Sequence, residues 1–186
     1  LTGALGTLRE HYPKPLFDAS LNLFSSHDEV RMQTRLSGAP ARTALPREAQ
    51  ARWQPTPEDA RLGRIRTVLA TAVQMTFPGV PCVYYGDEAG MLGMADPYNR
   101  ATYPWGKEDK ALREAFRALM LARRDTPALK RGLCRFGALG PDVFSIVRYG
   151  AGDGGCAVLL VNRSIEAREA VLCEETLPEG PDAETP

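Results

Sequence analysis

The chain has 186 residues, of which 44% are hydrophobic and 25% charged, as is typical of a soluble globular protein. Lysine plus arginine and aspartate plus glutamate number 23 each, so net charge gives no reason to expect nucleic acid or an anionic membrane as a partner. No apolar run approaches the roughly 18 residues that a membrane-spanning helix needs. The sequence begins at Leu1, with neither an initiator methionine nor a signal-like segment, which suggests a fragment. The compartment stays unknown at this stage, with the cytoplasm slightly favoured over secretion.

The first apolar stretch ends in a group of polar side chains. A helix is predicted over residues 1–12, and the short apolar run Leu21–Phe24 then predicts a buried strand. His27, Asp28 and Glu29 follow that strand. A carboxylate next to a histidine at a strand end can bind a substrate hydroxyl, stabilise positive charge or take part in acid–base chemistry. The alternative is that His27 and Asp28 only cap the next segment.

A long loop and a long helix come next. Residues 32–55 are interrupted by glycine and prolines and predict a loop with a short helix near residues 47–53. Thr56, a capping residue followed by proline, then starts a helix with a 3.6-residue apolar period over residues 56–76. Phe77-Pro78-Gly79 ends this helix and turns the chain into a second strand. So short a connection fits a crossover between parallel strands.

The second strand also ends in acids, Asp87 and Glu88. Two strands joined by a helix, with acids at both strand ends, predict an α/β enzyme whose site lies at the carboxyl edge of a parallel sheet. Convergence of both acids with His27 and Asp28 on a divalent metal is an alternative. We predict no metal site, because the segment lacks a dense ligand motif.

The loop after the second strand is rich in glycines and aromatics. Asp96 and Arg100 lie four residues apart around a proline, where they can offer an acceptor and a bidentate donor to sugar hydroxyls. Tyr98, Tyr103 and Trp105 are candidates for stacking on sugars or bases. The alternative, that these aromatic side chains fold under the loop to cover the sheet, is equally compatible with the pattern.

The sequence pattern changes from helical to β-prone near Thr126. A helix is predicted over residues 107–124, and short β-prone runs separated by turns follow it. These runs are 134–136, 143–149, 157–162 and 170–173, and they suggest an antiparallel sheet or sandwich. We therefore predict two domains, residues 1–126 and 127–186, of which the second is incomplete and its acidic tail from residue 174 disordered.

The four cysteines are widely and irregularly spaced, at Cys82, Cys134, Cys156 and Cys173. No two of them form a Cys-x-x-Cys pair, and the two histidines do not complement them, so a zinc site is not predicted. We expect buried, reduced thiols.

Three motifs in order resemble the C-terminal half of the α-amylase family, glycoside hydrolase family 13, in its neopullulanase, cyclomaltodextrinase and amylopullulanase-like branch. His27-Asp28 with Arg31 is similar to the family's His-Asp-x-x-Arg at the end of barrel strand seven. Residues 74–91 resemble the run into and past strand eight. Asp96-Pro97-Tyr98-Asn99-Arg100 resembles the family's Asp-Pro-x-x-Arg, which a Pro-Trp pair follows.

The resemblance implies a fold and a set of roles. The fold is the C-terminal part of a (β/α)8 barrel, strands seven and eight with their helices, followed by a small antiparallel β-sandwich domain. Asp28 is then the carboxylate that binds sugar hydroxyls and helps distort the ring toward the transition state. His27, Asp96 and Arg100 bind the α-glucan or maltooligosaccharide substrate, and Arg31 supports the site.

The resemblance also implies what this chain lacks. A retaining glycosidase needs a nucleophile and a general acid about 5 Å apart, and the family takes them from strands four and five, which this chain does not contain. We expect a fragment of a hydrolase of α-1,4 or α-1,6 glucosidic bonds that is inactive alone and self-associates through exposed barrel edges. Transglycosylation and a non-catalytic binding or scaffolding homologue are the alternatives. A calcium ion is compatible with the missing part, but no cofactor is predicted in this segment.

Overall fold

The computed structural model describes residues 2–151 and 155–172. The helices there are α1 (Thr2–His11), α2 (Lys14–Ala19), α3 (Met32–Leu36), α4 (Arg47–Arg52), α5 (Pro57–Thr76), α6 (Lys110–Asp125) and α7 (Pro127–Arg131), with 3-10 turns at Arg42–Ala44 and Tyr98–Arg100. The strands are β1 (Leu21–Asn22), β2 (Val80–Pro81), β3 (Leu133–Ala138), β4 (Val143–Ala151) and β5 (Gly155–Asn162). No helix in these ranges combines the length and apolar character needed to span a bilayer.

The four predicted helices are confirmed. The long helix α5 begins where its capping signal lies, because Thr56 Oγ1 accepts the Asp59 N–H at 3.2 Å and donates to the Asp59 carboxylate at 2.6 Å. Three short helices, α2, α3 and α7, were not predicted. None exceeds six residues, too short for an apolar period to show in the sequence.

The chain divides into two compact units. One comprises Leu1–Leu21, Met75–Val80 and Leu121–Pro186, and the other comprises Asn22–Gln74 and Pro81–Met120. The predicted domains, residues 1–126 and 127–186, stay a prediction.

The first unit is built on an antiparallel sheet in the order β3-β4-β5. The central strand β4 is buried along Val143–Tyr149. Among the described strands, β5 pairs only with β4, and most of its residues are exposed. Three aromatic rings, Phe17, Phe77 and Phe136, pack in series with centroids 5.8 and 5.5 Å apart. The antiparallel prediction is confirmed, and a second sheet that would complete a sandwich stays a prediction.

Two arginines of this unit hold the turn that ends α5. Arg123 donates to the carbonyls of Met75, Phe77 and Gly79 at 2.6, 3.1 and 2.6 Å. Arg148, fully buried in β4, donates to the Thr76 carbonyl at 2.8 Å. Guanidinium groups therefore satisfy the carbonyls that α5 leaves unpaired where it stops.

The short strands β1 and β2 pair with each other. Val80 N–H donates to the Ser20 carbonyl at 2.9 Å, and Cys82 N–H donates to the Asn22 carbonyl at 2.8 Å. Both partners advance by two residues in the same direction, which is the parallel arrangement predicted for a helical crossover. The assignment of β1 and β2 to strands seven and eight of a barrel stays a prediction.

Several local predictions are wrong. The run Leu21–Phe24 is not a buried strand, because only its first two residues pair and its apolar side chains are exposed. Cys82 and Cys156 are exposed rather than buried, since Cys82 follows the short strand β2 and Cys156 lies on the largely exposed strand β5. Residues 170–172 form no strand. Cys173 and the tail from residue 174 lie outside the described residues.

The second unit contains two apolar clusters. One consists of Met32, Leu112 and Phe116, with Val68 and Val83 packed against it. The other consists of Val30, Met94 and Ala95, with partly buried apolar side chains from the loop of residues 38–55 and from Tyr98 packed against it. The second cluster lies directly under the segments that carry the candidate site.

Candidate functional site

The turn after β1 presents His27 and Asp28 to solvent. The Glu29 N–H donates to the Ser26 carbonyl at 3.3 Å, and the Asp28 N–H donates to Ser26 Oγ at 3.2 Å, which closes the turn. His27 Nε2 and Asp28 Oδ2 lie 3.3 Å apart, with side chains 62% and 73% exposed. The imidazole and the carboxylate are thus adjacent and accessible, as a hydroxyl-binding pair requires.

Arg31 lies three residues further on and points the other way. Its side chain is 0% exposed, and Nη1 donates to the Tyr85 carbonyl at 2.7 Å and to Asp87 Oδ1 at 3.3 Å. The guanidinium carbon lies 4.8 and 4.9 Å from the ring centroids of Tyr84 and Tyr85. The guanidinium is therefore buried and bonds the segment after β1 to the turn after β2, with no face open to solvent.

Asp87 completes this buried pair. It also accepts a hydrogen bond from the Ser25 hydroxyl. Burial raises the pKa of Asp87 to about 6, against the opposing effects of the Ser25 hydrogen bond and the Arg31 charge. Gly86 precedes it at φ +86°, where a side chain would collide with Met91 and crowd Arg31 Nη1.

Glu88, the other acid of this strand end, is held by the backbone. Its Oε2 accepts the Gly86 N–H at 2.8 Å. Neither Asp87 nor Glu88 joins His27 and Asp28. Among residues 2–151 and 155–172, no three side chains of the histidine, cysteine or acidic type are placed to hold a metal ion.

Asp96 and Arg100 form an ion pair in the next loop. Arg100 Nε lies 2.7 Å from Asp96 Oδ1, and both side chains are about half exposed. The 3-10 turn at Tyr98–Arg100 brings them together. An accessible carboxylate next to a guanidinium offers acceptors and donors to the same ligand, which is the fork expected from the spacing.

Asn99 joins the two segments, and the sequence analysis did not single it out. It is fully buried, and its Nδ2 donates to the carbonyls of His27 and Glu29 at 2.8 and 2.7 Å, with a longer contact of 3.3 Å to Ser26. The residue between Asp96 and Arg100 thus fixes the backbone of the turn that carries His27 and Asp28. Its position inside the Asp-Pro-x-x-Arg motif was the available signal.

The aromatic side chains of this loop divide between two environments. Tyr98 packs against the cluster of Val30, Met94 and Ala95. Trp105 is 82% exposed. It is the second residue of a turn closed by the Lys107 N–H on the Pro104 carbonyl at 2.9 Å, and its ring centroid lies 4.6 Å from that of Tyr103. Covering and exposed aromatics therefore coexist in one loop.

Comparison with known proteins gives consistent relatives. The chain is 38% identical over 128 residues to an amylopullulanase of Thermoanaerobacter thermohydrosulfuricus, matching 69% of this chain and 8% of that protein. It is 35% identical over 161 residues to a cyclomaltodextrinase of Geobacillus thermopakistaniensis, matching 85% of this chain and 23% of that protein. The chain belongs to the α-amylase family. It spans about a tenth to a quarter of these relatives, and no protein-family model matches it.

A solved structure of this family shares the fold. The cyclic α-maltosyl-(1→6)-maltose hydrolase of Arthrobacter globiformis, in complex with that cyclic sugar, superposes with a TM-score of 0.66 at 30% identity. The match covers 87% of this chain and 31% of the hydrolase. The parallel strands, the long crossover helix and the antiparallel sheet therefore belong to an architecture that this family uses.

Proposed function

We propose that this chain forms one wall of the sugar-binding site of a retaining α-glucan hydrolase that cleaves α-1,4 or α-1,6 glucosidic bonds. One observation carries the proposal. His27 and Asp28 stand exposed and adjacent in a turn that Asn99 fastens to the loop of the Asp96–Arg100 pair. Each of the two pairs, His27 with Asp28 and Arg100 with Asp96, offers a donor and an acceptor to the hydroxyls of one glucose unit.

Each side chain has a role that its chemistry allows. Asp28 accepts hydrogen bonds from ring hydroxyls and stabilises the oxocarbenium-like charge of the transition state. His27 donates to a hydroxyl of the same glucose unit, while Asp96 and Arg100 bind the next unit on the non-reducing side. Arg31 and Asn99 position the turn from below.

The nucleophile and the general acid lie outside this chain in the proposed enzyme. They must face the scissile bond about 5 Å apart, whereas Asp87 is buried against Arg31 and Glu88 is bound to the Gly86 N–H. Strands β1 and β2 would then be the last two strands of a (β/α)8 barrel, and the antiparallel strands would form the following β domain. Any calcium ion would also be held elsewhere.

Release of reducing sugar from maltooligosaccharides and pullulan tests this proposal. The 186-residue chain alone should release none. The protein that contains it together with the segment supplying the two missing carboxylates should be active, and Asp28→Asn in that protein should lower kcat at least about 100-fold. Turnover by the isolated chain would contradict the proposal, and an inactive longer protein that still binds maltooligosaccharides would favour the non-catalytic homologue.

Self-association is part of the proposal. Leu23 and Phe24, which the other strands and helices of a closed barrel would cover, are about half exposed in the second unit. Light scattering on the isolated chain should show a mass that grows with concentration. Replacement of both residues by serine should reduce this growth, and a monomer at all concentrations would contradict it.

A further inference from the structure

The loop between α3 and α5 and the segment of residues 92–101 together line a cavity beside Arg100. The cavity has a volume of about 320 Å³, and its walls include Trp53, Gln54, Tyr98 and Arg100. This volume lies at the small end of the range for small-molecule sites, roughly 300–1,000 Å³. It is large enough for a single sugar unit but not for several.

The aromatic wall of the cavity is held from behind. Trp53 and Tyr98 are partly buried and pack against the cluster of Val30, Met94 and Ala95 while also lining the cavity. Rings supported in this way are preorganised and lose little freedom when a ligand stacks on them.

The helix that precedes Trp53 is also anchored. Gln50 Nε2 in α4 donates to the carbonyls of Arg42 and Leu45 at 2.8 and 2.9 Å. These bonds tie α4 to the 3-10 turn before it. The position of Trp53 is therefore determined by the loop's own hydrogen bonds as well as by apolar packing.

The rim of the cavity is polar. Arg100 contributes to the cavity and to the Asp96 ion pair at the same time, so the cavity continues directly from the proposed sugar-binding pair. Gln54 is exposed, and its side-chain amide makes no hydrogen bond within the described part of the chain. Aromatic walls with an amide and a guanidinium at the rim suit a pyranose, which has apolar C–H faces and an edge of hydroxyls.

We propose that this cavity binds one further glucose unit of the α-glucan, beyond the unit held by Asp96 and Arg100. Trp53 and Tyr98 contact the apolar face of the sugar, and Gln54 and Arg100 bind its hydroxyls. The inference rests on the proposed function, because that function supplies the identity of the ligand. It assigns a specificity role to a loop that carries none of the three family motifs.

Binding of maltose and maltotriose to the full chain tests the inference. The chain has two tryptophans, Trp53 and Trp105, so Trp105→Phe leaves Trp53 as the only indole reporter. Maltotriose should change the fluorescence of Trp53 in this variant. Calorimetric titration should then show that Trp53→Ala weakens maltotriose binding about fivefold or more, the size expected for loss of one aromatic contact, while maltose changes less.

Further variants show whether a loss of maltotriose affinity comes from the cavity itself. Gln54→Ala removes an exposed rim side chain without touching the apolar cluster, and it should also weaken maltotriose more than maltose. Tyr12→Ala removes an exposed aromatic residue of the other unit and should change neither affinity. His27→Ala should weaken both sugars alike.

The outcomes distinguish this inference from the proposed function. Maltotriose binding that is unaffected by both Trp53→Ala and Gln54→Ala overturns the inference and leaves the proposed function intact. Absence of binding for either sugar overturns both. Selective loss of maltotriose affinity in the two cavity variants supports the inference.

Discussion

Two acids that follow two paired strands have opposite surroundings. Asp28, after β1, has a side chain that is 73% exposed, whereas that of Asp87, after β2, is 3% exposed and paired with Arg31. Both arise from the same sequence pattern, a short apolar run followed by acids. The sequence pattern thus locates each acid just after a strand, and the segment that packs against it determines whether the acid is exposed or buried.

The difference comes from the partner segments. Arg31 reaches from the first segment into the turn after β2 and binds both a carbonyl and the carboxylate there. Asn99 binds the turn after β1 only through its carbonyls. Within the described residues, no arginine or lysine pairs with the Asp28 carboxylate, whose neighbour is His27. One acid is thus used to hold the site together, and the other is available to a ligand.

The largest expected effect comes from breaking the buried pair. Arg31→Met at pH 7 should lower the free energy of unfolding by about 3–5 kcal/mol, because it leaves the Asp87 carboxylate without its buried cation. Urea denaturation followed by circular dichroism measures this. Arg35→Met is the matched control, since Arg35 pairs with Glu29 at 2.6 Å on the surface, and it should cost less than about 1 kcal/mol. Equal losses in both variants would contradict the comparison.

The next effect is a pH dependence specific to Asp87. Its folded-state pKa of about 6 lies above the ordinary value of 3.8, so the folded protein keeps a proton that the unfolded chain loses. The stability contributed by Asp87 is therefore fully present below about pH 4 and is lost as the pH rises through 6. Relative to Asp87→Asn, the free energy of unfolding should fall by on the order of 3 kcal/mol from pH 4 to 7. A difference that stays constant over this range would refute the assignment.

A smaller loss is expected when the exposed turn is released. Asn99→Ala leaves the carbonyls of His27 and Glu29 without their buried donor and should cost about 1–3 kcal/mol. Asn162→Ala is the control, because this exposed amide donates to the Glu166 carbonyl at 2.8 Å, and its loss should cost about 0.5 kcal/mol or less. Thermal unfolding of both variants provides the measurement, and a neutral Asn99→Ala would remove the proposed link between the two segments.

The smallest effect on stability is expected at Asp28 itself. Asp28→Asn should leave the free energy of unfolding within about 0.5 kcal/mol of the parent, because the Asp28 side chain is 73% exposed to solvent. The same variant should still lower kcat of the proposed enzyme at least about 100-fold. A large loss of stability would instead support the alternative that Asp28 only caps the chain.

Much of the fold could be read from local sequence. The long helix α5 was predictable because its capping threonine, its first-turn proline and its apolar period agree. The antiparallel strands β3 to β5 were predictable from alternating runs and turns. The extent of β1 and β2 was not, because the length of a strand depends on the neighbours available to pair with it, and each of these strands has one neighbour in the described part of the chain.

By itself, the sequence predicted four of the helices, the parallel crossover, the antiparallel strands β3 to β5, the family resemblance and the five candidate site residues. Only the tertiary structure decided which of these residues a ligand can reach. It buried Arg31 against Asp87, left His27 and Asp28 in solvent, and revealed Asn99 and Trp53, whose contacts are distant in the chain. The physical reason is that periodicity and capping act over a few residues, whereas the burial of Arg31 and the bond from Asn99 to His27 depend on residues 56 and 72 positions away.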